Sequence, residues 1–342
     1  MVKVGINGFG RIGRVTFRAI LEKYAEEVEV VAINTSGSME IEGWANLLKY
    51  DSVYGRLDKN IKYQISKIKN EIGTLIIEEK KIPVLAQREP GKIPWEKYDV
   101  EVVLECTGVF RTTKDCLGHL KAGAKKVIIS APAKDETPTY LIGVNSDKYK
   151  GEKIISNASC TTNCIAPVAK IMMENFKVVR AMMTTIHAYT ADQELVDGSH
   201  KDLRRGRAAG LNIIPTTTGA AEAMARALPE LKGKFQGLAI RVPVACGSLS
   251  DFTFVLDHTV RVEKVNRVFD QAKGLEQYQG ILEVTSEPIV SSDIIKNPAS
   301  AIIDLSLTSV SGGNLVKVVA WYDNEWAYSC RLIELAALIA GE

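Results

Sequence analysis

Val2-Lys3-Val4-Gly5-Ile6-Asn7-Gly8-Phe9-Gly10-Arg11-Ile12-Gly13 opens the chain. Residues 2–7 read as a short buried strand, residues 8–13 spell G-x-G-x-x-G, and residues 16–24 carry apolar side chains at helical spacing. Strand, glycine turn and helix therefore stand in the order of a dinucleotide-binding unit. Gly8, Gly10 and Gly13 allow a tight turn and close approach of the backbone, with Arg11 and Ile12, to a pyrophosphate resting on the helix N-terminus. A glycine fingerprint alone is often only a loop, but residues 28–33 follow as a second parallel strand, which favours the dinucleotide reading. Strand patterns at 100–105 and 126–130, with a helical pattern at 114–122 between them, continue the alternation. The fold class is thus α/β, with a Rossmann doubly wound parallel sheet over residues 1–159.

Beyond residue 178 the pattern changes. Long strand-like runs at 178–188, 235–242, 248–256 and 315–321, with fewer helices between them, predict a mixed sheet in an α+β catalytic domain over residues 160–328. At its start stands Ser159-Cys160-Thr161-Thr162-Asn163-Cys164, and His187 follows in Thr185-Ile186-His187-Ala188-Tyr189-Thr190. Helical spacing over 161–176 puts Cys160 where a helix begins, among backbone N–H groups that favour a thiolate, and a nearby imidazole would lower its pKa further. A thiol with a base points to covalent catalysis through a thioester. The bland alternative, an ordinary buried cysteine, is weaker here because of the two flanking hydroxyls and the helix start.

Composition narrows the partners. The chain has 342 residues, 46% hydrophobic and 25% charged, with 43 Lys and Arg against 41 Asp and Glu, a formal charge of +2. Nothing in that balance suggests nucleic acid or a membrane surface, so small molecules and other subunits are expected. Six scattered cysteines do not form a secreted disulfide framework, and Cys160 with Cys164 lacks the second ligand pair of a zinc site, so reduced thiols, no metal and a cytoplasmic location are expected. The basic run 201–207 is short and interrupted by Asp202.

Five motifs in order, Asn7 to Gly13, Ala158 to Cys164, His187 to Thr190, Thr216-Thr217-Thr218-Gly219-Ala220-Ala221 and Trp321-Tyr322-Asp323-Asn324-Glu325, resemble phosphorylating glyceraldehyde-3-phosphate dehydrogenase over essentially the whole chain. The resemblance implies a homotetramer, and a C-terminal helix within 329–342 that returns to the first domain. It implies that Cys160 attacks the aldehyde of D-glyceraldehyde 3-phosphate and that His187 handles the protons. Hydride would pass to NAD or NADP, and inorganic phosphate would convert the thioester to 1,3-bisphosphoglycerate. By the same resemblance Thr190 and Arg241 face the substrate phosphate, and Ser159, Thr161, Thr218 and Gly219 the attacking phosphate, with Arg204 near these anion sites. Arg88, Ser130, Ser199 and Asn324 join the fingerprint residues and Thr35 as coenzyme contacts. Chemically, an arginine fork and hydroxyl donors suit phosphate without changing protonation. Arg241 amid apolar neighbours could instead serve a structural salt bridge, and Thr218 with Gly219 could simply cap the helix at 220–228.

Two departures bear on the coenzyme. Thr35 occupies the position where NAD-using Rossmann proteins offer a carboxylate to the adenosine ribose, and Ser199 stands where NAD-specific relatives usually carry proline. Both suggest use of NADP alongside NAD, with Glu40 as the opposing residue. A third departure, Ala245-Cys246 in place of Pro-Asn, has no functional reading from sequence. The alternatives are an erythrose-4-phosphate dehydrogenase of the same fold, which hydrolyses its thioester, and a non-catalytic RNA-binding or scaffold module.

Overall fold

The computed structural model describes residues 1–341. It resolves into two compact units, one of Met1–Tyr140, Lys148–Ala158 and the segment from Ser329 onward, the other of Leu141–Asp147 and Ser159–Tyr328. This division departs from the boundaries 1–159 and 160–328 at Leu141–Asp147 and at Ser159. The reason is local: Lys170 Nζ donates to Val144 O at 2.8 Å, and Ser159 caps the helix that begins at Cys160. Glu342, the last residue of the expected 329–342 segment, lies outside the described residues.

The first unit is built on an eight-stranded sheet in the order 154–156, 126–129, 102–105, 2–7, 28–35, 80–86, 71–77, 61–65. Its first six strands are parallel and the last two pairings antiparallel. Val4, Ile6, Ala32, Ile33, Val102, Val103, Leu104, Val127 and Ile128 are fully buried, as continuous apolar strands covered on both faces should be. The first helix spans Arg11–Ala19 and passes into a π-helical turn, Ile20–Tyr24. It starts five residues before the apolar periodicity suggests, because Gly10 already serves as its N-cap. The helix Thr113–Lys121 opens on a capping box formed by Thr112 and Asp115.

The C-terminal helix runs Trp326–Ala340, and from Ser329 onward it belongs to the first unit. Tyr24 Oη donates to Glu334 Oε1 at 2.7 Å, Lys126 Nζ donates to the Ile339 carbonyl, and Leu332, Ile333, Leu335, Ala336 and Ile339 are fully buried.

The second unit carries a mixed sheet in the order 214–217, 235–242, 178–188, 248–256, 315–322, 301–304, 282–285, with Ser309–Ser311 pairing off this path against 315–322. Strand Val178–Ala188 is parallel to Phe235–Val242 and antiparallel to Ser248–Leu256. The first of these registers places His187 directly beside Arg241. Helix Cys160–Asn175 packs on the sheet, with Thr161 through Ala169 all buried.

Candidate active site

Three elements of the second unit converge on one thiol. Ser159 caps helix Cys160–Asn175: its Oγ accepts the Thr162 N–H at 3.1 Å and lies 2.8 Å from Thr162 Oγ1. Cys160, first residue of that helix, is half-buried, and its Sγ lies 3.4 Å from His187 Nε2 at the end of strand Val178–Ala188.

The imidazole tautomer follows from its other nitrogen. His187 Nδ1 lies 2.7 Å from the Ala188 carbonyl, which can only accept, and 3.0 Å from Arg241 Nη1, which can only donate; the shorter contact places the ring proton on Nδ1. Arg241 Nη1 donates to the same carbonyl at 3.0 Å and to Thr190 Oγ1 at 3.4 Å. Nε2 is left bare, facing the sulfur, as a base for the thiol proton.

Electrostatics correct one sequence expectation. Burial pushes the Cys160 thiol up from its ordinary value, against the opposing pull of the Arg241 guanidinium and of hydroxyl and backbone donors. Burial, followed by repulsion from Arg241, lowers His187 to about 3. Both directions favour a neutral thiol beside a neutral imidazole: desolvation opposes the charge on each, and the Arg241 guanidinium, which by itself favours a thiolate, disfavours the imidazolium that would pair with it.

Arg241 has no carboxylate partner among the described residues. Its Nε is buried without a hydrogen bond, no hydrogen bond occupies Nη2, and burial lowers its pKa. Among the described residues it forms no salt bridge, and the guanidinium retains capacity for an anion.

Thr161 is only partly available, since its Oγ1 lies 3.0 Å from Tyr322 Oη, which also meets Thr185 Oγ1 at 2.9 Å. Tyr322 is a site residue that the sequence reading passed over; its place inside the Trp321-Tyr322-Asp323-Asn324 run was the available signal. Thr218 Oγ1 accepts the Ala220 N–H at 3.2 Å at the start of helix Ala220–Ala227, while Gly219, its N-cap, has open space where a Cβ would stand. Neither bonds to the Cys160 cluster. Arg204 is exposed, bonded through Nη1 to Pro215 O at 3.4 Å, whereas Arg205 points inward to Asp192, Thr216 and Thr217 O. The inward arginine is therefore Arg205. Ser199 is exposed on its loop. Asn324 Oδ1 accepts from Gly247 N at 3.0 Å and Ser248 Oγ at 2.9 Å, which leaves its Nδ2 as the group to offer a ligand.

In the first unit the fingerprint fits a dinucleotide. Gly8 has φ +97°, and a Cβ there would stand 2.7 Å from Thr107 N; a Cβ at Gly13 would collide with the Gly8 carbonyl; at Gly10 it would meet nothing within 4 Å. These are the tight turn, the close packing and the open approach that a pyrophosphate needs, at a helix end with no side-chain cap. The Arg11 guanidinium is bound to Asp51 and lies over Tyr54, which commits its side chain and leaves its backbone at the start of the helix. Ile12 follows it in the same turn, and Ser130 comes directly after the strand Lys126–Ile129, with its hydroxyl bonded to Cys106.

Thr35 is a correction. It is buried, its hydroxyl donates to Leu85 O at 3.1 Å and accepts from Gly37 N at 3.1 Å, so it has nothing to give a ribose. Ser36 and Ser38 are exposed instead. Pairing of Thr35 with Ala86 brings the strand that ends at Ala86, and Arg88 just beyond it, to this loop; Arg88 is exposed and holds no ion pair among the described residues.

Residues 2–113 match the glyceraldehyde 3-phosphate dehydrogenase NAD binding domain and residues 159–324 the glyceraldehyde 3-phosphate dehydrogenase C-terminal domain. The chain is 50% identical to a glyceraldehyde-3-phosphate dehydrogenase of Streptomyces coelicolor, over 100% of this chain and 99% of that protein. It is 50% identical to glyceraldehyde-3-phosphate dehydrogenase 2 of Bacillus subtilis, over 99% and 97%, and 52% identical to the Mycobacterium avium enzyme, over 99% and 98%. Matches to both domain models and half-identity along its full length establish that the chain belongs to the glyceraldehyde 3-phosphate dehydrogenase family.

Proposed function

We propose that the chain oxidises D-glyceraldehyde 3-phosphate to 1,3-bisphosphoglycerate, with Cys160 as nucleophile and His187 as its base. The observation that carries this is Cys160 Sγ at 3.4 Å from His187 Nε2, beside a guanidinium with no carboxylate partner among the described residues. Sulfur attacks the aldehyde carbon as the thiol proton passes to Nε2, and the carbonyl π pair moves to oxygen, which takes that proton to give a hemithioacetal. The base then withdraws the hydroxyl proton as hydride leaves the carbon, which leaves a thioester on Cys160. Bound nicotinamide coenzyme supplies the acceptor for that hydride. Inorganic phosphate adds to the thioester carbon, the C–S bond breaks, and the departing sulfur recovers its proton from His187. Arg241 with Thr190 holds the substrate phosphate; Thr161, Thr218 and Gly219 are the donors for the attacking one, with Ser159 holding the helix start in place.

The fingerprint Gly8, Gly10, Arg11, Ile12 and Gly13 holds the pyrophosphate through its backbone, and Ser130 adds a contact from the same unit. NADP serves alongside NAD. The exposed Ser36–Ser38 loop carries no carboxylate to repel a 2′-phosphate, and Arg88 beside it is an exposed cation with no ion pair among the described residues. Glu40, exposed at the N-cap of helix Ile41–Lys49, is the residue that opposes this. The chain acts as a homotetramer. Leu195, Val196, Leu203, Leu211 and Ile213 expose 70–86% of their surface, an apolar stretch suited to a second copy. Six free thiols suit a cytoplasmic setting, and no helix among the described residues is long and apolar enough to cross a membrane.

The test is kcat/KM for glyceraldehyde 3-phosphate with saturating phosphate, measured with NAD and NADP on one sample. Turnover with both is expected. Turnover with NAD alone refutes the NADP reading, and turnover with neither refutes the substrate.

A further inference from the structure

Under the carboxyl ends of the parallel strands in the first unit runs a polar chain that the proposed chemistry does not use. Asn34 brackets the Gln87 backbone, its Oδ1 accepting the N–H at 2.9 Å and its Nδ2 donating to the carbonyl at 2.8 Å, and Nδ2 also donates to Asn7 Oδ1 at 2.7 Å. Asn7 Nδ2 donates to Glu105 Oε2, His119 Nε2 lies 3.0 Å from the same oxygen, and Trp95 Nε1 donates to His119 Nδ1 at 3.0 Å. Asn7, Asn34, Trp95, Glu105 and His119 are all at most 2% exposed.

The proton positions follow. Trp95 can only donate, so His119 Nδ1 is the acceptor and the ring proton sits on Nε2, aimed at Glu105. The other oxygen of Glu105 accepts from Thr107 N at 2.8 Å and from the Thr107 hydroxyl. Four donors thus close around one buried carboxylate, as such a group requires.

Two loops at this edge of the sheet hang from that carboxylate. Asn7 immediately precedes Gly8, and Thr107 N is the atom a Cβ at Gly8 would strike. We infer that Glu105, oriented by His119 and Trp95, is a positioning residue that fixes the Gly8–Gly10 turn and the Thr107 loop in the arrangement that receives the dinucleotide. The inference rests on the reading that the coenzyme binds at this fingerprint. A carboxylate is required because Glu105→Gln would turn an N–H against donors that have no other acceptor.

Calorimetric titration of the coenzyme-free enzyme with NAD tests it on Glu105→Gln, His119→Ala and His119→Gln, with iodoacetamide alkylation of Cys160 as the control for the second unit. Weakening of NAD binding by about tenfold or more is expected in Glu105→Gln and His119→Ala, as for loss of a shell that supports a binding site. His119→Gln, which keeps one donor and one acceptor, should recover most of the affinity. The alkylation rate and kcat at saturating NAD should stay close to wild type. An unchanged NAD affinity in Glu105→Gln with a lowered Tm overturns the inference, since the network would then only stabilise. If Glu105→Gln does not fold, equal affinity in His119→Ala and wild type overturns it. A wild type that binds no NAD refutes the coenzyme reading instead, and the inference with it.

Discussion

The protein buries two histidines, one in each unit, and uses their nitrogens in opposite ways. His119 has both committed, Nδ1 to Trp95 and Nε2 to Glu105, inside a network whose every member is satisfied. His187 has only Nδ1 committed, to the Ala188 carbonyl, and keeps Nε2 against the Cys160 sulfur. Closed networks hold a shape, and incomplete ones hold capacity for a substrate.

Substitutions at the open centre should therefore act on chemistry and leave the fingerprint alone. Cys160→Ser should have the largest effect, a fall of roughly 10⁴-fold in kcat with NAD affinity unchanged, because a hydroxyl beside a weakly basic imidazole is a far poorer nucleophile. Steady-state kinetics with NAD titration would check both halves. His187→Ala should lower kcat by about 10²- to 10⁴-fold, the range for loss of a positioned base.

The same histidine gives a pH prediction with a definite sign. Its folded pKa of about 3 lies below the ordinary 6.5, so between these values unfolding takes up a proton. It adds stability above about pH 6.5 that is lost as pH falls toward 3. Scanning calorimetry should find a smaller fall in Tm from pH 7 to 4.5 in His187→Asn than in wild type. An equal fall would contradict the neutral buried ring.

Arg241→Ala should reduce kcat/KM by about 10²-fold, as expected for two charge-assisted hydrogen bonds to phosphate at about 1.5 kcal/mol each. Activity on glyceraldehyde without its phosphate should change far less; an equal loss on both substrates would remove the arginine from substrate binding. The smallest effect belongs to Arg88→Ala, about a tenfold weaker affinity for NADP with NAD unaffected. Parallel titrations with both coenzymes would show whether the discrimination lies there.

Much of this was legible in the sequence, for reasons that differ from place to place. Strands 178–188, 235–242 and 248–256 were read with their observed bounds because they are long and keep their apolar pattern to the ends. The hairpin strands at 61–65, 71–77 and 80–86 escaped, since most of Ile61–Ile65 is exposed and carries no clear alternation. Motif position located Thr35 along the chain but not the direction of its side chain, which the pleat turns toward Leu85 O. The Cys160 helix start was visible, yet its electrostatic setting depended on Arg241, a residue 81 positions away that only strand pairing brings to His187. Nothing in the spacing of Trp95, Glu105 and His119 announced their network, which exists only once the sheet is assembled.

The most direct test of the covalent account is a rapid-mixing experiment without phosphate. Enzyme, NAD and glyceraldehyde 3-phosphate should give a burst of NADH equal to the concentration of Cys160 and then nearly stop, with sustained turnover beginning when phosphate is added. Sustained turnover that ignores phosphate would mean a thioester opened by water, and the absence of any burst would remove the accumulating thioester on which the account depends.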